Sequence, residues 1–353
     1  MRDVGDALNL YLQETGDTML MVDFGVDGNQ ALNKFSLCGC CNPFCFCPTS
    51  KVDAFLLSHF HTDHYNGFLN YSKRFSFKQI YLPRFPEMHN GKIIIQLFIL
   101  NAIIQKNVLF LYVLQLILNN SSNSVQIRLL SQKDTFYHNE RKYEVLWPPR
   151  TFKQADYRDL TKCTQDVIDE FEKLKKKNKK LEKIYESLKD GDFRIEDENG
   201  VIFFKDEKHV NIIKKLFEDN SLQDSEIESI TLSIEYKNFN NKLQQAANRL
   251  SIAFRQEDNV LFLGDLEAFE LNKVSKDLKK RELVYYDTLI AAHHGTHWGN
   301  DLQKIKCENC LISVGGLRNS KVKDKYRTIS SRIYSTFYLK DIIISNEKNL
   351  RLV

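Results

Sequence analysis

Proline is scarce in this chain, with six residues in 353. Lysine, asparagine, isoleucine and phenylalanine are common, a bias of AT-rich coding that says little about function. Charge of one sign is not in excess either. Fifty Lys and Arg against 46 Asp and Glu leave a net +4, too mild to announce nucleic acid by itself. A secretion signal is lacking, because the first residues are polar and charged. That disfavours structural disulfides despite eight cysteines, and the expected location is cytoplasmic. The most apolar stretch, residues 93–118, is broken by Gln96, Asn101, Gln105, Lys106, Asn107 and Gln115. A membrane span needs about 20 apolar residues with few such breaks. The stretch therefore reads as a buried helix, a turn near Asn107, and a second buried helix or strand. It is no stable membrane span, and it offers a hydrophobic surface to a protein partner. There is no internal repeat and no low-complexity segment. The 42% of hydrophobic residues suffice for one large domain or two small ones.

Histidine is also rare, nine residues in all, yet three fall together. Residues 57–64 read Leu57-Ser58-His59-Phe60-His61-Thr62-Asp63-His64. The apolar run in front of them, residues 52–57, reads as a buried strand, so the cluster sits where a strand ends. Imidazole and carboxylate are ligands that zinc, manganese and iron accept. His59 and His61 can serve one ion, and Asp63 and His64 another.

One turn cannot surround a metal, and two later segments offer more ligands. Residues 259–267 form a strand ending in Gly264-Asp265. Asp265 there is either a bridging carboxylate or the N-cap of an ordinary strand-to-helix turn. Residues 288–299 run from an apolar strand into His293, His294 and His297. Three histidines in five positions after a strand point to a site.

This ordered set, His-x-His-x-Asp-His, then Gly-Asp, then His-His-Gly, resembles the metallo-β-lactamase fold. More narrowly, it resembles the hydrolase domain of ComEC-type DNA-uptake competence proteins. Asp3-Val-Gly-Asp-Ala-Leu matches that group's opening, two residues short. Met21-Val-Asp-Phe-Gly25 matches its second strand, and Val145-Leu-Trp-Pro-Pro149 and Asn248-Arg-Leu-Ser-Ile-Ala-Phe254 its middle strands. The likeness covers most of the chain outside about residues 151–245. It implies that His59 and His61 hold one metal, Asp63 and His64 a second, that Asp265 bridges, and that His293 is the last ligand. His294, His297 and Asn248 would then face the substrate. Asp63 would orient the nucleophile, and His294 would protonate a leaving oxygen. Asn248-Arg-Leu-Ser251 stands where many relatives carry a histidine, so the first site is one protein ligand short. One ion or two, zinc or manganese, both stay open. Asp6 and Asp23, on early strands, are placed to orient ligand imidazoles.

The expected fold is α/β: a metallo-β-lactamase αββα sandwich spanning residues 1–353, with a charged helical insert at 151–230 protruding over the site. Strands are expected at 7–13, 18–24, 52–57, 79–82, 125–130, 143–147, 229–236, 250–255, 260–263, 289–292, 311–314 and 341–345, with 350–353 returning beside the last. One helix is expected over 166–189 and another over 210–217. The basic run 173–180 is either a phosphate contact or a solvated helix face. Cys38, Cys40, Cys41, Cys45 and Cys47, with Cys307 and Cys310, either chelate a structural metal or are incidental thiols. The reading that follows is a metal-dependent phosphodiesterase acting on DNA. A small-molecule hydrolase for a lactone, thioester or cyclic nucleotide is the alternative, and a non-catalytic binding module a third. Fold alone does not choose among them.

Overall fold

The computed structural model describes residues 1, 8–13, 18–25, 52–67, 77–84, 91–105, 126–151, 157–190, 201–202, 222–257, 259–339, 342–343 and 351–352. Strand β1 (Asn9–Gln13) pairs antiparallel with β2 (Met19–Phe24). Strand β3 (Val52–Leu56), β4 (Gln79–Pro83) and, beyond helix α1 (Gly91–Ile104), β5 (Gln126–Leu130) continue that sheet in parallel. The hairpin of β6 (Thr135–His138) and β7 (Arg141–Trp147) opens a second sheet. Helices α2 (Arg158–Lys177) and α3 (Lys179–Asp190) follow, and short β8 (Val201–Ile202) returns antiparallel to β5. Helices α4 (Asp224–Leu232) and α5 (Ile234–Arg249) lead into β9 (Ala253–Gln256) and β10 (Val260–Phe262). Then come helix α6 (Ala268–Lys280), β11 (Tyr285–Ile290), β12 (Lys306–Ile312), the one-turn helix α7 (Gly316–Asn319) and β13 (Ser330–Ser335). Helix α8 (Thr336–Leu339) and the antiparallel pair β14 (Ile342–Ile343) and β15 (Arg351–Leu352) end the order. The second sheet runs β13-β12-β11-β10-β9-β7-β6, parallel from β10 to β13 and antiparallel elsewhere.

Side-chain alternation along the strands divides the core. Leu20, Val22 and Leu56 of the first sheet share a buried cluster with Phe254, Phe262 and Ile290 of the second. Met19, Met21, Phe55 and Leu82, on the other face, pack with Leu97 of α1, Phe171 of α2, Ile184 of α3 and Leu243 of α5. Leu261, Leu289 and Ile312 of the second sheet pack with Leu271 and Val274 of α6. The protein is thus mixed α/β, with two mixed sheets in contact and helices on their outer faces. Burying each such side chain contributes about 1.5–3 kcal/mol. The arrangement also gathers the ends of parallel strands. Asp23 at the carboxyl end of β2 and the residues just beyond β3, β10, β11 and β12 meet at one edge of the sheets, the usual place for a site in such sheets.

Most expected strands appear within a residue or two, but β9 (expected at 250–255) starts three residues later, and β11 (289–292) and β12 (311–314) start four and five residues earlier. The 229–236 strand does not form. Its residues form the end of α4 and the start of α5, hinged at Ser233, whose hydroxyl accepts from Tyr236 N at 3.2 Å. The alternating Ile230, Leu232, Ile234 and Tyr236 suggested a strand. Leu232 and Ile234 are 63% exposed, however, and the buried set Tyr236, Phe239, Leu243 and Ala247 follows helical spacing. The 166–189 helix is two helices, split at Asn178, whose Oδ1 caps α3 by accepting from Lys180 N and Leu181 N. These helices pack against the first sheet, where Val167, Phe171 and Leu188 are buried, and residues 152–156, 191–200 and 203–221 of the expected insert lie outside the described residues. Four lysines of the basic run are paired: Lys173 with Glu170, Lys175 with Glu172, Lys177 with Glu235 and Lys180 with Glu226. Helix α1 is buried as expected, and the 210–217 helix and residues 106–125 lie outside the described residues. Among the described residues, no helix is long and apolar enough to cross a membrane.

Candidate metal centre

The cluster begins at the end of β3. Ser58, His59 and His64 are buried there, and residues Thr62–His64 close a short 3₁₀ turn. Asp23, at the end of the neighbouring β2, organises this turn. Its carboxylate accepts from Ser58 N, Ser58 Oγ and His64 Nδ1, each at 2.7 Å. Asp23 therefore holds the proton-bearing Nδ1 of His64 and turns Nε2 into the cluster, the orienting role expected of it. Asp6 lies outside the described residues. His59 Nδ1 leans on Ser58 Oγ at 3.0 Å, so its Nε2 also faces inward. His61 Nε2 donates to the carbonyl of Gln244 at 3.1 Å, which leaves its Nδ1 lone pair for a cation.

Asp265 enters from the other sheet. Gly264 has φ +54°, and a Cβ there would collide with Ser251 Oγ and Ile252 O. Only glycine makes this turn without strain. Ser251 Oγ then accepts from Asp265 N at 3.1 Å. Asp265 Oδ2 ends up 3.6 Å from His59 Nε2, 3.5 Å from His64 Nε2 and 3.7 Å from His293 Nε2. The N-cap alternative is not what the structure shows: Glu267 is the N-cap of α6.

The His293-His294 pair differs from the expectation. The resemblance implies His293 as ligand and His294 facing the substrate. Both adopt left-handed backbone, φ +46° and +56°, in a short turn after β11. His294 Nδ1 donates to Ser313 O at 2.8 Å, and its Nε2 lies 3.8 Å from Asp63 Oδ2. His293 stays beside Asp265, its Nδ1 donating to His297 Nε2 at 2.7 Å, while His297 Nδ1 donates to Leu266 O at 3.0 Å. His294 thus falls in a group that could hold a metal ion, and His293 and His297 form a hydrogen-bonded pair beside Asp265.

Two groups can hold a metal ion: His59, His61 and Asp265, and Asp63, His64 and His294. Four buried atoms in them have no hydrogen-bond partner: His59 Nε2, His64 Nε2, His294 Nε2 and Asp265 Oδ2. Leaving such atoms unpaired costs about 1–3 kcal/mol each. Cations held by the two groups would remove that cost, so the donor set fits divalent metal.

The electrostatics agree. Burial is the largest influence on His59 and His61 and drives both down, His59 well below 6.5 and His61 to about 4. Burial likewise lowers His293, His294 and His297. Neutral imidazole is the metal-binding form. Burial pushes Asp265 and Asp63 up, but the surrounding histidines outweigh it and hold both below the usual carboxylate value. For His64, burial pushes down and Asp265, Asp23 and Asp63 outweigh it, holding the imidazole well above 6.5. A cation that takes His64 Nε2 must displace a proton. Raising pH removes that proton, so zinc affinity is expected to rise about tenfold per unit between about pH 6 and 7, read by calorimetric titration. A flat profile would count against His64 as a ligand. Asp23→Asn is expected to weaken zinc about 10–100-fold, because the amide has no charge and one acceptor oxygen for the three donors that Ser58 and His64 direct at Asp23.

Asn248, expected at the substrate, is buried at the end of α5 with its Oδ1 unpartnered, one helical turn beyond Gln244. Cys307 and Cys310 lie inside β12, not before it. Both pack in the outer core of the second sheet, and burial raises their thiols, Cys307 to about 12. Among the described residues they join no metal-holding group, and the cysteines at 38–47 lie outside those residues. Sequence reasoning missed Arg318, whose Nη2 donates to Asp63 Oδ2 at 3.1 Å. It also missed Ser251. Neither has a local sequence signal, because α7 and the turn before β9 reach the cluster only through the fold. Compared with models of known protein families and with curated proteins, the chain matches none.

Proposed function

We propose that this chain is a metal-dependent hydrolase with the αββα sandwich of the metallo-β-lactamase fold, akin to the ComEC-type hydrolase domains, and that it cleaves phosphodiesters in DNA. The four buried, unpartnered donor atoms that converge between the two sheets carry this reading. Imidazole and carboxylate donors suit zinc or manganese, one ion or two, with Asp265 shared between them. Such an ion supplies Lewis acidity and lowers the pKa of water at the site. The rest falls to side chains. Asp63 stays ionised and partly exposed, so it can orient a water and accept its proton. His293 and His297 stand at the edge of the cluster, where a substrate oxygen would meet them. Arg318 places a guanidinium beside Asp63, a geometry that suits the anionic oxygens of a phosphodiester.

The test is turnover by chelator-stripped protein resupplied with manganese or zinc. Substrates are single- and double-stranded DNA, RNA, bis-nitrophenyl phosphate, a lactone and a thioester. Metal-dependent cleavage of the reporter and of DNA is expected. Robust lactone or thioester turnover without phosphodiester cleavage would overturn the proposal in favour of a small-molecule hydrolase.

A further inference from the structure

Four of the six lysines in the run on α2 and α3 are engaged by glutamates, so a second basic surface is the better candidate for a polyanion. One lies directly beside the cluster. From Arg318 to Lys325 the chain carries Arg318, Lys321, Lys323 and Lys325 with Asp324 as the one acid. The three lysines are exposed. This segment is fastened to the histidine loop by three hydrogen bonds. Lys323 N donates to Gly295 O at 2.9 Å. The buried Tyr326 hydroxyl accepts from Ala292 N at 3.1 Å and donates to His297 O at 2.8 Å. The backbone of the segment therefore keeps a fixed position relative to His294, and Arg318 reaches Asp63 itself.

Two exposed aromatic rings flank the same segment. Phe337 and Tyr338 on α8 are 42% and 70% exposed and meet edge to face, with centroids 4.9 Å apart. The Tyr338 hydroxyl accepts from Asn319 Nδ2 at 3.2 Å, and Phe337 lies against Gly316. Both rings thus adjoin the helix that carries Arg318. Cations that follow a phosphate backbone, set beside rings on which bases stack, make up the general recognition of single strands. A duplex keeps its bases stacked inward and cannot use such rings.

We infer that the surface formed by Arg318, Lys321, Lys323, Lys325, Phe337 and Tyr338 binds single-stranded nucleic acid and leads it to the metal centre. The inference rests on the phosphodiesterase reading and narrows its substrate to single strands.

The test is fluorescence anisotropy with a labelled single-stranded oligonucleotide, its duplex, and polyglutamate competing as an acidic polypeptide. The chelator-stripped full chain is used so that nothing is cleaved. Tighter binding of the single strand than of the duplex is expected, without displacement by polyglutamate. A Lys321→Glu/Lys323→Glu variant should bind at least about tenfold more weakly, with a salt slope shallower by roughly 1.4 for two lost contacts. A Phe337→Ala/Tyr338→Ala variant should lose roughly tenfold for the single strand. Both should keep the parent's thermal midpoint and zinc content. Parent-like binding by both variants, equal binding of the duplex, or displacement by polyglutamate would overturn the inference. Reporter turnover by the unsubstituted chain separates the two ideas. Single-strand binding through these residues without hydrolysis of bis-nitrophenyl phosphate sustains the surface and refutes the hydrolase. Hydrolysis without such binding does the reverse.

Discussion

Replacing Asp265 with asparagine is expected to remove the divalent metal and the turnover together. One oxygen, Oδ2, is within 3.7 Å of three imidazole nitrogens, those of His59, His64 and His293. Asparagine keeps the size but loses the charge, and it presents either a weaker oxygen or an NH₂ group that cannot ligate. Losing a group that merely orients a ligand costs about 10–100-fold in metal affinity. Losing the shared, charged donor should cost more, on the order of 10³-fold. Zinc at 100 times its Kd stabilises a folded protein by about 2.7 kcal/mol. The parent's thermal midpoint should therefore rise with zinc and the variant's should not. Elemental analysis after dialysis, with the two melts, reads the result. Equal zinc content and equal midpoints in both proteins would sink the assignment of Asp265.

Arg249→Leu is expected to cost up to about 1.4 kcal/mol more stability near pH 8 than near pH 5, because the Glu270 carboxyl it strands must take up a proton. Arg249 ends α5 and holds Glu270 Oε1 and Glu267 Oε2, each at 3.0 Å, across the turn that follows Asp265. Glu270 is fully buried. Burial outweighs Arg249 and lifts its pKa to about 7. A raised carboxylate pKa makes a stability contribution that is fully present below the unfolded value of about 4.5 and lost as pH rises through about 7. Without Arg249 that loss should deepen. Urea denaturation should show a difference between parent and variant that is larger at about pH 8 than at about pH 5, by up to about 1.4 kcal/mol. A difference that does not grow with pH would show that Glu270 is not the group left stranded.

How much of this was legible depended on where the signal lay. The ligand-bearing turn is local: Val52–Leu56 is apolar and His59 to His64 follow it directly, so the strand and the cluster can both be read off. Gly264-Asp265 and His293-His294 were legible for the same reason. Their roles were not, because a left-handed backbone at His293 and His294 breaks the alternation by which strand neighbours are assigned to opposite faces. The strand expected across Ser233 failed because period two and a hinge between helices both put apolar residues at Ile230, Leu232, Ile234 and Tyr236. Only packing decides that Leu232 and Ile234 face solvent. Arg318 and Ser251 were invisible because their partners, Asp63 and Asp265, are distant or differently placed in sequence and meet them only when the sheets stack.

The most direct measurement is anomalous scattering at the zinc edge from a crystal of the full chain grown with zinc. The account predicts at least one strong peak about 2.0–2.2 Å from ligand atoms of His59, His61, Asp63, His64, Asp265 and His294. Peaks confined to cysteines or to surface carboxylates, with none among these six residues, would contradict it.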